Sequence, residues 1–544
     1  MTNNKLPDWQ NLSLQEQIGQ MIVVRASGYL FDHQIRYPAW EANSSQLKYW
    51  LENLNLGGVI LLGGSSIELQ ARSQQLQSWA KIPLFLAADI EEGVGQRFPG
   101  GTWFPPPMAI GAIASQNPAL AHQYATEMGA ITAQEALAAG INWLLAPVVD
   151  VNNNPDNPVI NIRAFGDRPD RVSDLATAFI QGAKPYPILT TAKHFPGHGD
   201  TATDSHLDLP TVPHSDSRLT KVELLPFQRA IATGVDSVMT AHLFIPAWDK
   251  QHPATLSSAI LTSKLRQQLG FTGLIVTDAL IMGGITKYAS PEEVAVMAVE
   301  AGNDILLMPD NPEVAIAYIT KAVESGRISF ERIHQSLQRI WQAKEKVTKN
   351  LHLEITSQLA TPKAQLTVRS ILQHSMQAGG KLPLQTQTQA NSRNLIVIDD
   401  VLNCSFLDIQ TPAITIPQQF NYQRQIVDHN TLDCILDDSR STLLQLFIRG
   451  NPFRGNSGLT STTKNIYQQL IDRKQLEGLV IYGSPYVLDW IVNYLPPDLP
   501  WVFSYGQMSM AQAIALNKLF SLSSDRHTNI SHSLPKFQQH NFGF

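Results

Sequence analysis

Cysteine is almost absent from the 544-residue chain, which carries only Cys404 and Cys434, both in its last third. Neither a disulfide framework nor a cysteine metal cluster can therefore organise the fold, although a single late bridge is still open. Charge is sparse and balanced: 16% of residues are charged, and 40 Lys plus Arg stand against 46 Asp plus Glu, for a net charge of -6. No basic cluster supplies the phosphate-neutralising patch that nucleic-acid binding needs, so a nucleic-acid partner is excluded. No stretch reaches the ~18 uninterrupted apolar residues of a membrane span, so membrane insertion is not expected. The N-terminal MTNNKLPDWQNLSLQEQIGQMIVVRA lacks a basic region followed by an apolar stretch and a small-residue cleavage site. The expected location is the cytoplasm.

What is abundant is apolar. With 43% hydrophobic residues and 8% aromatics, the chain can bury sizeable cores, and at ~100–200 residues per domain its length predicts two to four domains. Short apolar or β-branched runs recur in the first two thirds: QMIVVRA (20–26), GGVILLGG (57–64), LFLAAD (84–89), NWLLAPVVD (142–150), ILTTAKHF (188–195), DSVMTAHL (236–243), GLIVTDAL (273–280) and DILLMP (304–309). Each is followed by a helix-period stretch. Eight such units predict an α/β fold of the (β/α)8 TIM-barrel type over residues 1–348. An open doubly wound sheet is the rival that periodicity does not separate. Polar residues at the C-terminal ends of the runs favour the barrel: Asp89, Asp150, Lys193, His194, His242 and Asp278. A barrel gathers such ends on one face.

A polar segment, 349–393, reads as a linker with one helix. Beyond it LIVIDD (395–400), AITIP (413–417), LLQLFIRG (443–450), LVIYGSP (479–485) and WVFSYG (501–506) alternate with helical stretches. They predict a smaller α/β sandwich-like domain over 394–521. The Ser-, His-, Asn- and Gln-rich tail, 522–544, is expected to be poorly ordered.

The densest chemistry is KHFPGHGDTATDSH (193–206), directly after a predicted strand, with three His, two Asp and one Lys in fourteen residues. Ionisable groups at a strand's C-terminal end mark barrel active sites, although a lone Asp there also suits a helix N-cap. This segment resembles glycoside hydrolase family 3, the NagZ-like β-N-acetylglucosaminidases, whose signature is K-H-F-P-G-H-G followed by D-S-H. ADIEEGVGQRF (88–98) is similar to the family's D-Q-E-G-G-R-V-x-R-F. NPVINIRAFGDRP (157–169) is similar to V-I-G-x-R-S-F, and IVTDALIMGGI (275–285) to S-D-x-L-x-M. The four motifs occur in the family's order over about residues 10–345.

The resemblance implies a retaining exo-β-N-acetylglucosaminidase with Asp278 as nucleophile and His206, oriented by Asp204, as acid/base. It also implies sugar binding by Asp89, Arg97, Arg163, Lys193 and His194. Chemistry agrees: a carboxylate can trap the oxocarbenium-like centre, and a histidine-carboxylate pair can shuttle a proton near neutrality. The expected substrate is a small GlcNAc-containing oligosaccharide or muropeptide from peptidoglycan recycling, and no metal or organic cofactor is implied. Gly197 and Gly199 would let the loop carrying His206 swing. His198, between them, is expected to serve loop architecture rather than touch the sugar. The chain departs from the family pattern at Glu92-Gly93-Val94, where relatives have Gly-Gly-Arg, and at Ala279, where many carry Asp.

Four alternatives stay open: a β-glucosidase or xylosidase of the same family, a GlcNAc phosphorylase using phosphate as acceptor, a metal-dependent barrel hydrolase built on His194, His198 and His206 with Asp200 or Asp204, and a non-catalytic sugar-binding protein.

Overall fold

The computed structural model describes residues 6–205, 207–348, 355–385, 392–399, 404–428, 431–450 and 459–522. The chain divides into two compact units, one formed by 1–375 with 448–464 and 483–487, the other by 376–447, 465–482 and 488 onward. Of the described residues assigned from sequence to the second domain, 448–450, 459–464 and 483–487 thus cluster with the first.

All eight anticipated barrel strands are present: β1 (Ile22–Ser27), β2 (Gly58–Leu62), β3 (Phe85–Ala88), β4 (Trp143–Leu144), β5 (Thr191–Phe195), β6 (Ser237–Thr240), β7 (Leu274–Val276) and β8 (Leu306–Leu307). They pair in parallel in the orders β4-β3-β2-β1-β8 and β5-β6-β7. Backbone bonds join the two arcs, with Leu144 N–H donating to the Leu189 carbonyl (2.8 Å) and Thr277 N–H to Ile305 (3.0 Å). The sheet therefore closes, and the open-sheet rival falls. Closure explains the near-continuous apolar runs, because a parallel strand in a barrel is buried on both faces. Inside, the indole N–H of Trp143 reaches the hydroxyls of Thr191 (2.9 Å) and Ser237 (3.0 Å), so the largest buried ring leaves no polar atom stranded.

At the opposite end of the barrel, the fully buried Asp304, just before β8, gathers Arg266, Arg339 (3.1 Å) and the Ser336 hydroxyl (2.7 Å). That carboxylate lies at a strand's N-terminal end, where barrels place stability rather than chemistry. The long terminal helix Phe330–Val347, capped by Ser329, buries Ile333, Leu337, Ile340 and Trp341 against the barrel unit.

In place of the single linker helix, two helices, Ile355–Gln358 and Pro362–Ser375, lead to the second sheet. Its strands are β9 (Gln377–Gly379), β10 (Arg393–Ile398), β11 (Gln423–Val427), β12 (Thr442–Ile448), β13 (Leu476–Gly483) and β14 (Trp501–Ser504), in the order β11-β10-β12-β13-β14-β9, with β9 antiparallel. The expected strand AITIP is a helix instead, Pro412–Gln418. Pro412 sits at the helix start and Pro417 lies inside it, and Ala413 is held by polar contacts: its N–H donates to Gln512 (3.1 Å) and its carbonyl accepts from Asn394 (2.8 Å) and Gln445 (2.7 Å). Tertiary packing overrides the β-branched propensity of those five residues. The expected tail lies outside the described residues from 523 on.

Candidate active site

Because the strands are parallel, Asp89, Asp150, Lys193, His194, His242 and Asp278 all sit at or just beyond strand ends on one face. Lys193 is 1% exposed and its ammonium lies 2.7 Å from Asp89 and 2.6 Å from Glu91. Arg163 closes on Glu91 with two parallel bonds of 2.8 and 2.7 Å. Burial alone would raise the Glu91 carboxyl pKa, but Arg163 and Lys193 outweigh it and hold the group well below the carboxylate range. For Lys193 burial pulls the other way, and Asp89 and Glu91 keep it charged. Of the carboxylates on Lys193, Asp89 alone is substantially exposed, its side chain 37% accessible. The cluster thus presents Asp89 to the open face on a rigid cationic base, an arrangement suited to gripping sugar hydroxyls. Arg97, exposed, donates from Nε to the Asp89 carbonyl at 3.1 Å.

His194 belongs to a second network. Its Nδ1 lies 2.7 Å from the fully buried Asp150, which also accepts from the backbone N–H of His194 and, at 2.7 Å, of His198. Nδ1–H therefore donates to the Asp150 carboxylate, and Nε2 is turned away from it. His198 places its ring nitrogens 2.8 Å from Thr201 Oγ1 and 2.8 Å from Ser205 Oγ. Burial lowers its pKa to about 4, with Asp150 and Asp278 only partly offsetting that. His198 thus ties the loop together as a neutral ring, next to Asp204. The nearby glycines allow close packing: a Cβ on Gly199 would fall 1.8 Å from the Val151 carbonyl, and one on Gly197, at φ +132°, would meet Glu223.

Asp204 is buried and its carbonyl accepts from Leu207 and Asp208 N–H, both at 3.0 Å. His206 lies outside the described residues. Asp278, just past β7, accepts from Ala279 N–H at 2.8 Å. It does not cap a helix, since the next one, Gly283–Thr286, has Met282 at its N-cap. His242 donates from Nε2 to the Ala279 carbonyl (3.1 Å), with Nδ1 2.8 Å from Thr255 Oγ1, and so braces the peptide after Asp278.

Of the rival metal set, His198 and Asp200 are taken up by other partners: His198 by its two hydroxyls, and Asp200 by His214 (2.8 Å) and Arg218 (3.3 Å). Asp200, His214 and Glu223 also lie together, but Arg218 bridges Asp200 and Glu223 and places its own cation there.

Sequence reading missed Glu91, although it stands inside a matched motif. It also missed Arg449. This guanidinium lies 2.7 Å from Glu92, whose other oxygen accepts the Trp103 indole N–H at 2.9 Å. Gly450 packs so closely that a Cβ would meet Asn161 at 3.0 Å. The unusual Glu92 is thus a partnered charge, and its partner comes from residues too distant for any local motif to reveal.

Residues 13–343 match the model of the glycosyl hydrolase family 3 N-terminal domain, and 385–521 that of the bacterial glycosyl hydrolase family 3 C-terminal domain. The chain belongs to glycosyl hydrolase family 3. A β-hexosaminidase A of Pseudoalteromonas piscicida is 34% identical over 382 residues, 63% of this chain and 63% of that protein. A β-hexosaminidase of Alkalilimnicola ehrlichii is 34% identical over 294 residues, 53% of this chain and 84% of that protein. Among solved structures, a family 3 β-N-acetylglucosaminidase from Paenibacillus sp. str. FPU-7 is similar at a TM-score of 0.77 and 28% identity, covering 94% of this chain and 97% of that one. The family 3 architecture, an α/β barrel followed by an α/β sandwich domain, is the one described above.

Proposed function

We propose that this family 3 protein is a retaining exo-β-N-acetylglucosaminidase that removes terminal non-reducing β-GlcNAc by double displacement. Asp278 attacks the anomeric carbon, and the covalent glycosyl-enzyme is then hydrolysed. His206, paired with Asp204, protonates the leaving oxygen and later activates water. Asp89, Arg97, Arg163, Lys193 and His194 bind the sugar or set the groups that do. The observation that carries this reading is the exposed Asp89, held by buried Lys193 on the barrel face that also bears Asp278. The names of the β-hexosaminidase relatives and of the Paenibacillus structure support the sugar class. Substrates are GlcNAc-terminated saccharides, including GlcNAc–MurNAc fragments of peptidoglycan met in the cytoplasm. A panel of aryl β-glycosides differing only at C2 tests this: N-acetylglucosaminide turnover should exceed glucoside turnover, and the reverse order would overturn the assignment.

A further inference from the structure

The loop that leaves β1 runs over the same barrel face as Asp278, and among the described residues it carries several of the chain's exposed large aromatics: Phe31, Tyr37 and Trp40. Beside it lies a cavity of about 400 Å³, walled by Arg25 of β1, Trp40 and Glu41 of the loop, Ile281 and, after β8, Asp310. Ile281 stands three residues past Asp278, a reach of at most ~10 Å of extended chain. None of Asp89, Arg97, Arg163, Lys193 and His194 lines this space. It is therefore a compartment apart from those groups, with one wall on the segment that follows the nucleophile.

Its walls have a definite chemistry. The wall residue Trp40 stacks on the neighbouring Tyr37, which is not part of the wall, at 5.8 Å and 18°, and each ring stays more than two-fifths exposed. The Arg25 guanidinium lies 5.1 Å from the Tyr37 centroid and 5.6 Å from that of Trp40, bracing both rings. Its charge is matched by the buried Glu41 at 3.0 Å. A braced, exposed indole offers a flat apolar surface to the C–H face of a pyranose, and such rigid aromatics bind at low entropic cost. With Arg25 and Glu41 cancelling, the remaining wall charges are acidic: Asp32, which accepts from Ser44 N–H (3.0 Å) and Oγ (2.7 Å), and the exposed Asp310. An anionic ligand would meet like charge there, whereas a neutral sugar would not.

We propose that this cavity is the leaving-group site, and that it takes a neutral, β-linked N-acetylhexosamine in preference to an acidic muramic residue. The proposal rests on the glycosidase reading above and narrows its substrate class to saccharides of the chito-oligosaccharide type. The test compares kcat/KM of the full chain on N,N′-diacetylchitobiose, on GlcNAc–MurNAc, and on the β-azide of GlcNAc, whose leaving group is too small to reach the cavity. Wild type should favour diacetylchitobiose over GlcNAc–MurNAc by about ten-fold, and Trp40→Ala should lower the chitobiose-to-azide ratio by about ten-fold, the loss of one aromatic platform. At low ionic strength Asp310→Asn should raise the relative rate on GlcNAc–MurNAc. An unchanged ratio in Trp40→Ala, or a wild type that prefers GlcNAc–MurNAc, would overturn the proposal. A wild type that releases no GlcNAc from the azide would remove the glycosidase reading, and this assignment with it.

Discussion

Replacing His198 by Gln removes a titration that the fold holds far from its ordinary position. The ring is 1% exposed, both nitrogens lie 2.8 Å from hydroxyls, and burial brings its pKa to about 4. In the unfolded chain the value returns to ~6.5. Between those limits the unfolded state binds a proton that the native state does not, so this group makes stability rise with pH. Its contribution is fully present above pH ~6.5, declines as the pH falls toward 4, and changes no further below that. The displacement corresponds to about 3 kcal/mol at full effect. At ~1–2 °C per kcal/mol for a unit of this size, it amounts to about 4 °C in the barrel's melting temperature. Gln reaches a hydroxyl but does not titrate. Calorimetry of wild type and His198→Gln from pH 7.5 to 4 should therefore show the wild type losing about 3 kcal/mol more than the variant. Parallel losses would refute the claim that a buried neutral histidine secures this loop.

A 2-acetamido-5-fluoro glycoside should label the wild type at Asp278 and leave Asp278→Asn unlabelled, as read by intact mass and peptide mapping; a label elsewhere removes the nucleophile assignment. Glu92→Gln and Arg449→Met should each destabilise, but the double variant should fall short of their sum by about 1–3 kcal/mol, because one partner without the other is a poorly solvated charge. Denaturant titration of the cycle checks this, and simple additivity would dissolve the pair. His242→Ala frees the Ala279 carbonyl and should lower kcat by about 10–100-fold with little change in KM, since a brace of the nucleophile's peptide acts on positioning. A change confined to KM would place His242 in substrate binding instead. A chain ended at residue 350 lacks Arg449, Ser484 and Tyr486, which belong to the barrel unit and contact Glu92, Asn161 (3.3 Å) and Asn152 (2.7 Å). It should melt lower than the full chain and lose most aryl-glycosidase activity.

The barrel was legible because its information is local. Each strand is an apolar run buried on both faces, and polar residues stand at the C-terminal ends of those runs, so order, number and face could all be read without any contact. The same holds for Asp278, Lys193 and His194, which sit within one or two residues of a strand end. Strands without an apolar run could not be read. β9 and β11 sit at the two edges of the second sheet, where exposed residues such as Gln377, Gln423 and Arg424 need no hydrophobic pattern. The helix Pro412–Gln418 misled for the opposite reason, since its isoleucines and threonine favour strands locally while its burial beside Gln512 and Gln445 decides otherwise.

The division of labour at the site follows the same line. Residue types and spacing determined which groups could do chemistry, because a carboxylate or imidazole carries that capacity wherever it stands. Only the tertiary structure decided their states and partners: that Glu91 bridges Lys193 and Arg163, that His194 answers to Asp150, that His198 stays neutral, and that Glu92 meets Arg449 from 357 positions away. Burial and charge pairing depend on which segments the closed barrel brings within a few ångströms, and separation along the chain carries no trace of that.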